Sequence, residues 1–139
     1  MAIARIPSAG TGVLMTDSVR AIQTIPAYAA VGIVNDPVSN NLGVKMVGCS
    51  YFGDKFIGFL NRGVESGNFA NLISHRGSTL TPLRENGVLF EVGDSVYLSK
   101  TPGYVTNQFS LDALDVLVQV GIAVTPTKIM LNTDFHFIT

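Results

Sequence analysis

The chain contains no tryptophan, a single cysteine and few charges, and each scarcity removes a class of protein. One cysteine, Cys49, cannot form an internal disulfide, so no disulfide framework stands in for a core. It is read as a small buried apolar residue rather than a nucleophile. Charged residues fill only 14% of the 139 positions, against roughly a quarter in an ordinary soluble domain. The net charge of −1 comes from 9 Lys and Arg against 10 Asp and Glu. The basic residues are scattered, with no run and no interleaved aromatics, which offers no field for gripping phosphates and argues against nucleic acid as a partner. No apolar run approaches the roughly 18 residues of a membrane helix. The opening Met1-Ala2-Ile3-Ala4-Arg5-Ile6-Pro7 lacks the apolar core of a secretory signal. The expectation is a soluble protein made in a cytoplasm, with no membrane partner.

What is present is apolar bulk. Hydrophobic residues make up 47% of the chain, which argues against disorder, and its length suits one domain with a sizeable core. With so few charges, the exterior must be made polar largely by Ser, Thr, Asn and Gln. Such a surface can be buried against a neighbour without desolvating many ions, so the composition leans toward a protein that lives in an assembly. A polar-surfaced monomer is the plainer alternative.

The pattern is that of strands. From Val116, the even positions Val118, Val120, Ile122 and Val124 continue a β-branched apolar series, while Leu117, Gln119, Gly121 and Ala123 fall between them. Period-two alternation predicts a strand with one face buried. Thr125-Pro126-Thr127 then links it to Lys128 to Leu131 as a hairpin, and Phe135 to Ile138 reads as a separate final strand. Earlier strands are predicted at Ala27 to Val34, Val44 to Cys49, Phe56 to Leu60 and Asn68 to Ser74, and Val13 to Met15 begins another. Val88 to Val92 follows the Asn86-Gly87 turn, and Ser95 to Ser99 follows Gly93-Asp94. In Val44 to Cys49 only Lys45 is charged, so the buried face stays open. Ser110 to Leu117 is the one helical candidate, of one or two turns, with Ser110 as its cap.

Turn signals roughly every 8 to 12 residues point to an all-β barrel or sandwich of about eight to ten short strands, with at most one short helix near residues 110–116. Residues 1–12, broken by Pro7, Gly10 and Gly12, read as an N-terminal arm before a single β domain over 13–139. An echo of apolar-Gly-apolar-apolar recurs at Val31-Gly32-Ile33-Val34, Ile57-Gly58-Phe59-Leu60 and Val120-Gly121-Ile122-Ala123. Glycine inside a strand marks close approach of another backbone, or a bend at a barrel corner.

Chemistry is harder to find. His75 lies beside Arg76 in a polar turn and His136 between two phenylalanines, and neither accompanies a nucleophile with a local signature such as Gly-x-Ser-x-Gly. Asp112 and Asp115 would share a helical face, but solvated acids near a helix start are the plainer reading. Gly53-Asp54 and Gly93-Asp94 read as tight turns whose Asp bonds nearby backbone, rather than as calcium sites. No catalytic residue, metal site or cofactor is expected. Phe135 and Phe137 would be costly to expose together, so they either close the core or dock on a partner.

With the strands laid out, the segment from about Gly53 to Asn132 resembles the small β-barrel head decoration, or cement, proteins of tailed bacteriophages. The likeness rests on Val92-Gly93-Asp94-Ser95-Val96-Tyr97-Leu98-Ser99, on Thr101-Pro102-Gly103-Tyr104-Val105-Thr106, and on Gln119 to Val124 with Thr127 to Asn132. Similar runs occur in phage fibre and tail modules. The chain departs from the pattern in its early aromatics (Tyr28, Tyr51, Phe52, Phe56, Phe59) and in the Ser110 to Leu117 stretch. The resemblance implies a protein of the virion's outer head surface that bridges major capsid subunits and resists internal DNA pressure. It also implies self-association, with a trimer favoured by shell symmetry and a dimer as the alternative. Candidate contacts are Ile3, Arg5 and Ile6 of the arm and the pair Phe135 and Phe137. The runner-up is another virion module, such as a fibre base, neck or tail-surface protein. A third class is an enzyme or small-molecule binder built on a small barrel, which needs a pocket with convergent polar groups.

Overall fold

The structure, a computed structural model, describes residues 13–38, 40–109, 112 and 115–137. Five strands close into a barrel: β1 (Val13–Ala21), β2 (Ala30–Asp36), β3 (Asn41–Met46), β4 (Phe56–Leu60) and β5 (Phe69–Ile73), in the order β1-β3-β2-β4-β5. Every neighbouring pair is antiparallel except β1 and β3, which run parallel through Arg20↔Gly43 and Ala21↔Val44. The second half of the chain forms a curled half-barrel sheet from β6 (Thr79–Leu80), β7 (Ser95–Leu98), β8 (Val105–Thr106), β9 (Val116–Ala123) and β10 (Ile129–Phe137), ordered β6-β10-β9-β7-β8. Two single 3-10 turns, Gly53–Lys55 and Glu85–Gly87, complete the described elements. The all-β expectation and its strand number hold. The N-terminal arm lies outside the described residues, as does most of the helical candidate. At its end, Asp115 N–H closes a turn on the Asp112 carbonyl (3.1 Å) and Val116 is already strand.

Two cores organise these sheets. The smaller fills the barrel with Val19, Ala21, Ile25, Ala29, Val31, Val44, Leu60, Ala70 and Leu72. The larger takes Ala30, Val47, Cys49, Phe56, Phe59 and Ile73 from the barrel side and Phe90, Val96, Leu98, Val118, Val120, Ile129 and Leu131 from the second half. Consecutive residues therefore enter different cores: Ala30 and Val31, Phe59 and Leu60, Leu72 and Ile73. A strand side chain alternates faces, so this wall of β2, β4 and β5 is buried on both sides. That double burial is why its sequence reads as unbroken apolar runs. It also resolves the open question at Val44 to Cys49, where Val44 points into the barrel and Val47 and Cys49 toward the second sheet.

Bulges set the register. On β9, Val118 and Val120 are buried as the alternation predicts, but from Gly121 the pattern inverts: Gly121 and Ala123 are buried and Val124 is exposed. The cause is an extra residue. Val96 pairs with Gly121 and Tyr97 with Gln119, so Val120 stands as a bulge that flips every later side chain. A Cβ on Gly121 would lie 2.5 Å from the Met130 carbonyl oxygen, and one on Gly32 would lie 2.6 Å from that of Lys55. The echoed glycines thus mark close backbone approach. The expectation of separate strands at Lys128 to Leu131 and Phe135 to Ile138 is corrected. β10 is one strand through Phe137, because β9 pairs with both stretches and a register shift between Leu131 and Asp134 absorbs the mismatch. Val88 to Val92 is not a strand. Tight turns flank it, and Phe90 N–H donates to the Pro126 carbonyl rather than to a ladder (2.9 Å).

Candidate functional site

Among the described residues, two clusters of polar or aromatic groups lie beside a cleft or groove, and neither is centred on a histidine. The first is a cleft of about 300 Å³ where the chain after β3 meets the β7–β8 end of the second sheet; Cys49, Glu85, Ser99, Lys100, Thr106 and Phe109 are among its lining residues. Backbone bonds fix Cys49 there: its N–H donates to the Ser99 carbonyl (2.9 Å) and its own carbonyl accepts from Val116 N–H (2.9 Å). The thiol is buried. Burial, and then the negative charge of Asp115, hold its pKa above the ordinary value, with only partial opposition from Lys100. It stays protonated at neutral pH and is a poor nucleophile, since the thiolate is the reactive form.

The acids read as solvated from sequence divide instead. Asp112 is exposed, but Asp115 is buried. The Lys100 ammonium compensates both, at 2.7 Å from Asp112 Oδ2 and 3.9 Å from Asp115 Oδ2. Asp115 Oδ2 also accepts from Asp112 N–H (2.9 Å). Asp115 is buried because it closes this turn and meets a cation that sequence spacing did not place beside it. The hydrogen bond to Asp112 raises the Lys100 pKa, so the ammonium stays charged. The cluster ties the chain before β9 to the turn after β7.

The second place is on the barrel. Gly48 and Tyr51 exchange backbone hydrogen bonds (2.9 and 3.1 Å), closing a tight turn that leads into Gly53–Lys55. Phe52 at its tip has φ 56 and ψ 31, in the left-handed region. A non-glycine residue pays roughly 1–2 kcal/mol to sit there. The strain presents two rings to solvent, with Tyr51 43% and Phe52 44% exposed. The rings meet edge to face, centroids 4.9 Å apart. Lys45 from β3 lays its Nζ 3.8 Å from the Phe52 centroid and donates to the Tyr51 hydroxyl at 3.0 Å. Such a cation–π contact contributes about 0.5–1 kcal/mol at an exposed site. Lys55, whose N–H donates to the Phe52 carbonyl (2.9 Å), also lines an open groove of about 570 Å³ with Ile33, Val34, Leu42 and the amides of Asn35, Asn40 and Asn41. Lys55 thus joins the aromatic step to a mixed apolar and amide groove.

No family model matches the chain, and no curated protein or solved structure does either. The reading of function therefore rests on fold and surface.

The residues singled out from sequence lie elsewhere. Phe135 and Phe137 sit in β10 opposite Val118 and Val116 of β9. Ile3, Arg5 and Ile6 lie outside the described residues. His75 is exposed in the turn before β6, and His136 pairs with Leu117 in the β9–β10 ladder. Among the described residues no three of His, Cys, Asp and Glu gather as a metal-holding group. Sequence reasoning noticed Tyr51 and Phe52 only as departures from a pattern. The adjacent Gly48 and Gly53 were the available signal, since Tyr51 and Phe52 lie between two buried glycines.

Proposed function

We propose that this protein is an adhesive structural subunit of a tailed-phage particle, a decoration protein on the outer face of the head that bridges major capsid subunits. The observation that carries the reading is the Tyr51-Phe52 step. A left-handed backbone at Phe52, next to Tyr51, leaves two aromatic side chains outside the core on a chain with few charges. Backbone strain persists where a function uses it, and aromatic residues are the side chains that most often dominate docking energy. The step is pre-organised by its turn and by Lys45, so little conformational freedom is lost on binding. A small barrel-and-sheet body that touches several shell subunits gains from multivalency even when each contact is modest.

Add-back of the purified protein to head shells that lack it is the test. Recruitment is expected to saturate and to decorate the head lattice by electron microscopy. Tyr51→Ala together with Phe52→Asn, which suits the left-handed backbone, is expected to weaken recruitment at least about tenfold with the fold intact by circular dichroism. Shells that never recruit the wild-type protein overturn the reading. Location at a single vertex or on the tail overturns it in favour of a neck or tail module.

A further inference from the structure

We infer that loop 88–94 and the hairpin turn 124–128 together form a contact between two copies of this chain. The two segments are one surface. Phe90 N–H donates to the Pro126 carbonyl (2.9 Å), Gly93 N–H to the Ala123 carbonyl (2.8 Å) and Ala123 N–H to the Asp94 carbonyl (2.8 Å). On this laced platform Leu89 is 65%, Val92 71% and Val124 38% exposed. Exposed apolar residues gathered on neighbouring loops, rather than scattered singly, mark an interaction surface.

The platform is also fixed before anything docks on it. Phe90 is buried beneath it as an anchor. Asp94 Oδ2 accepts from Glu91 N–H (2.9 Å) and from Asn107 Nδ2 (3.0 Å), which pins the loop. Thr125 Oγ1 accepts from Thr127 N–H (3.2 Å) and Lys128 N–H (2.9 Å), which pins the turn. Little ordering entropy remains to oppose association.

The charges say what covers it. Glu91 and Lys128 are exposed, of opposite sign, one on each segment, and neither enters an ion pair among the described residues. A patch with one unpaired anion and one unpaired cation is complementary to itself. Turned about a two-fold axis, Glu91 of one copy faces Lys128 of the other while the apolar residues meet between them. A patch that meets itself builds a dimer, not the trimer that shell symmetry favours. Three apolar side chains supply only part of the roughly 800 Å² per partner of a standard interface, so the dimer is weak and concentration-dependent.

Sedimentation equilibrium on the full chain, with no shells present, tests this independently of any role on a head. The wild-type protein is expected to move from monomer to dimer as its concentration rises toward about 1 mM. Val92→Glu is expected to weaken association at least about tenfold. Glu91→Lys and Lys128→Glu each weaken it, and the double exchange restores it. Circular dichroism of each variant checks the fold, and all three positions are solvent-facing. A wild-type protein that stays monomeric, a Val92→Glu dimer as tight as wild type, or a double exchange that does not restore association would each overturn the inference.

Discussion

The barrel and the second sheet solve the edge problem differently. The barrel closes on itself through the short parallel β1–β3 pair, Arg20↔Gly43 and Ala21↔Val44. The second sheet stays open: its outermost strands β6 and β8 are only two residues long, and β6 pairs with β10 only at Ile129 and Met130. Among the described residues the buried cluster inside the barrel is aliphatic, whereas the layer shared by the two halves carries Phe56, Phe59 and Phe90. The difference teaches where stability is concentrated. The second sheet cannot bury its inner face without the barrel wall, and the wall cannot cover its outer phenylalanines without the sheet. The two halves should melt together.

Truncation of the shared layer tests that most severely. Phe59→Ala is expected to cost about 3–5 kcal/mol. Val44→Ala, confined to the barrel interior, removes a smaller buried side chain and is expected to cost about 2 kcal/mol. Urea unfolding followed by far- and near-ultraviolet circular dichroism checks both. Separate transitions for the two halves in wild type would break the comparison.

The echoed glycines give a smaller effect that sharpens it. Gly32→Ala in the barrel and Gly121→Ala in the second sheet each force a Cβ against a carbonyl oxygen. Overpacking of this kind costs about 1–3 kcal/mol, and the melting temperatures of both variants should fall by similar amounts. A neutral Gly121→Ala would show that the open sheet relaxes where the closed barrel does not.

The smallest effects are in pH. Cys49, on the barrel side of the shared layer, has a raised pKa, so its contribution is intact below its ordinary value of 9.0 and is lost as pH rises through the folded-state value. Asp94, on the second sheet, is lowered by its hydrogen bonds with Asn107 and with the Glu91 backbone. Its contribution is intact above 3.8 and is lost as pH falls through the folded-state value. Urea midpoints across pH should decline at both extremes. Cys49→Ala should flatten only the alkaline limb, and Asp94→Asn only the acid one.

Much of the strand layout was legible because turn chemistry and alternation are local. Phe56–Leu60 was placed to the residue, and Ser95–Leu98 and Val116–Ala123 to within one. The errors share one cause. Val88 to Val92 has strand composition, yet no neighbouring strand offers it a ladder, so Phe90 turns into the core while Leu89 and Val92 stay outside. Val124 continues a perfect alternation, yet the bulge at Val120 turns it to solvent. Asp115 looks solvated until Lys100, fifteen positions earlier in sequence, is folded against it. The candidate docking step was the least legible part, because strain at Phe52 is a property of backbone angles and not of residue type.

By itself the sequence determined that this is a many-stranded, low-charge body with its turns in fixed places, because those features follow from side-chain period, glycine and proline. The tertiary structure alone decided that the first five strands close, that one barrel wall is buried on both faces, and which apolar residues are left on the surface. Those outcomes depend on pairing and register between segments far apart in the chain, and a one-residue bulge is enough to reverse which face is covered.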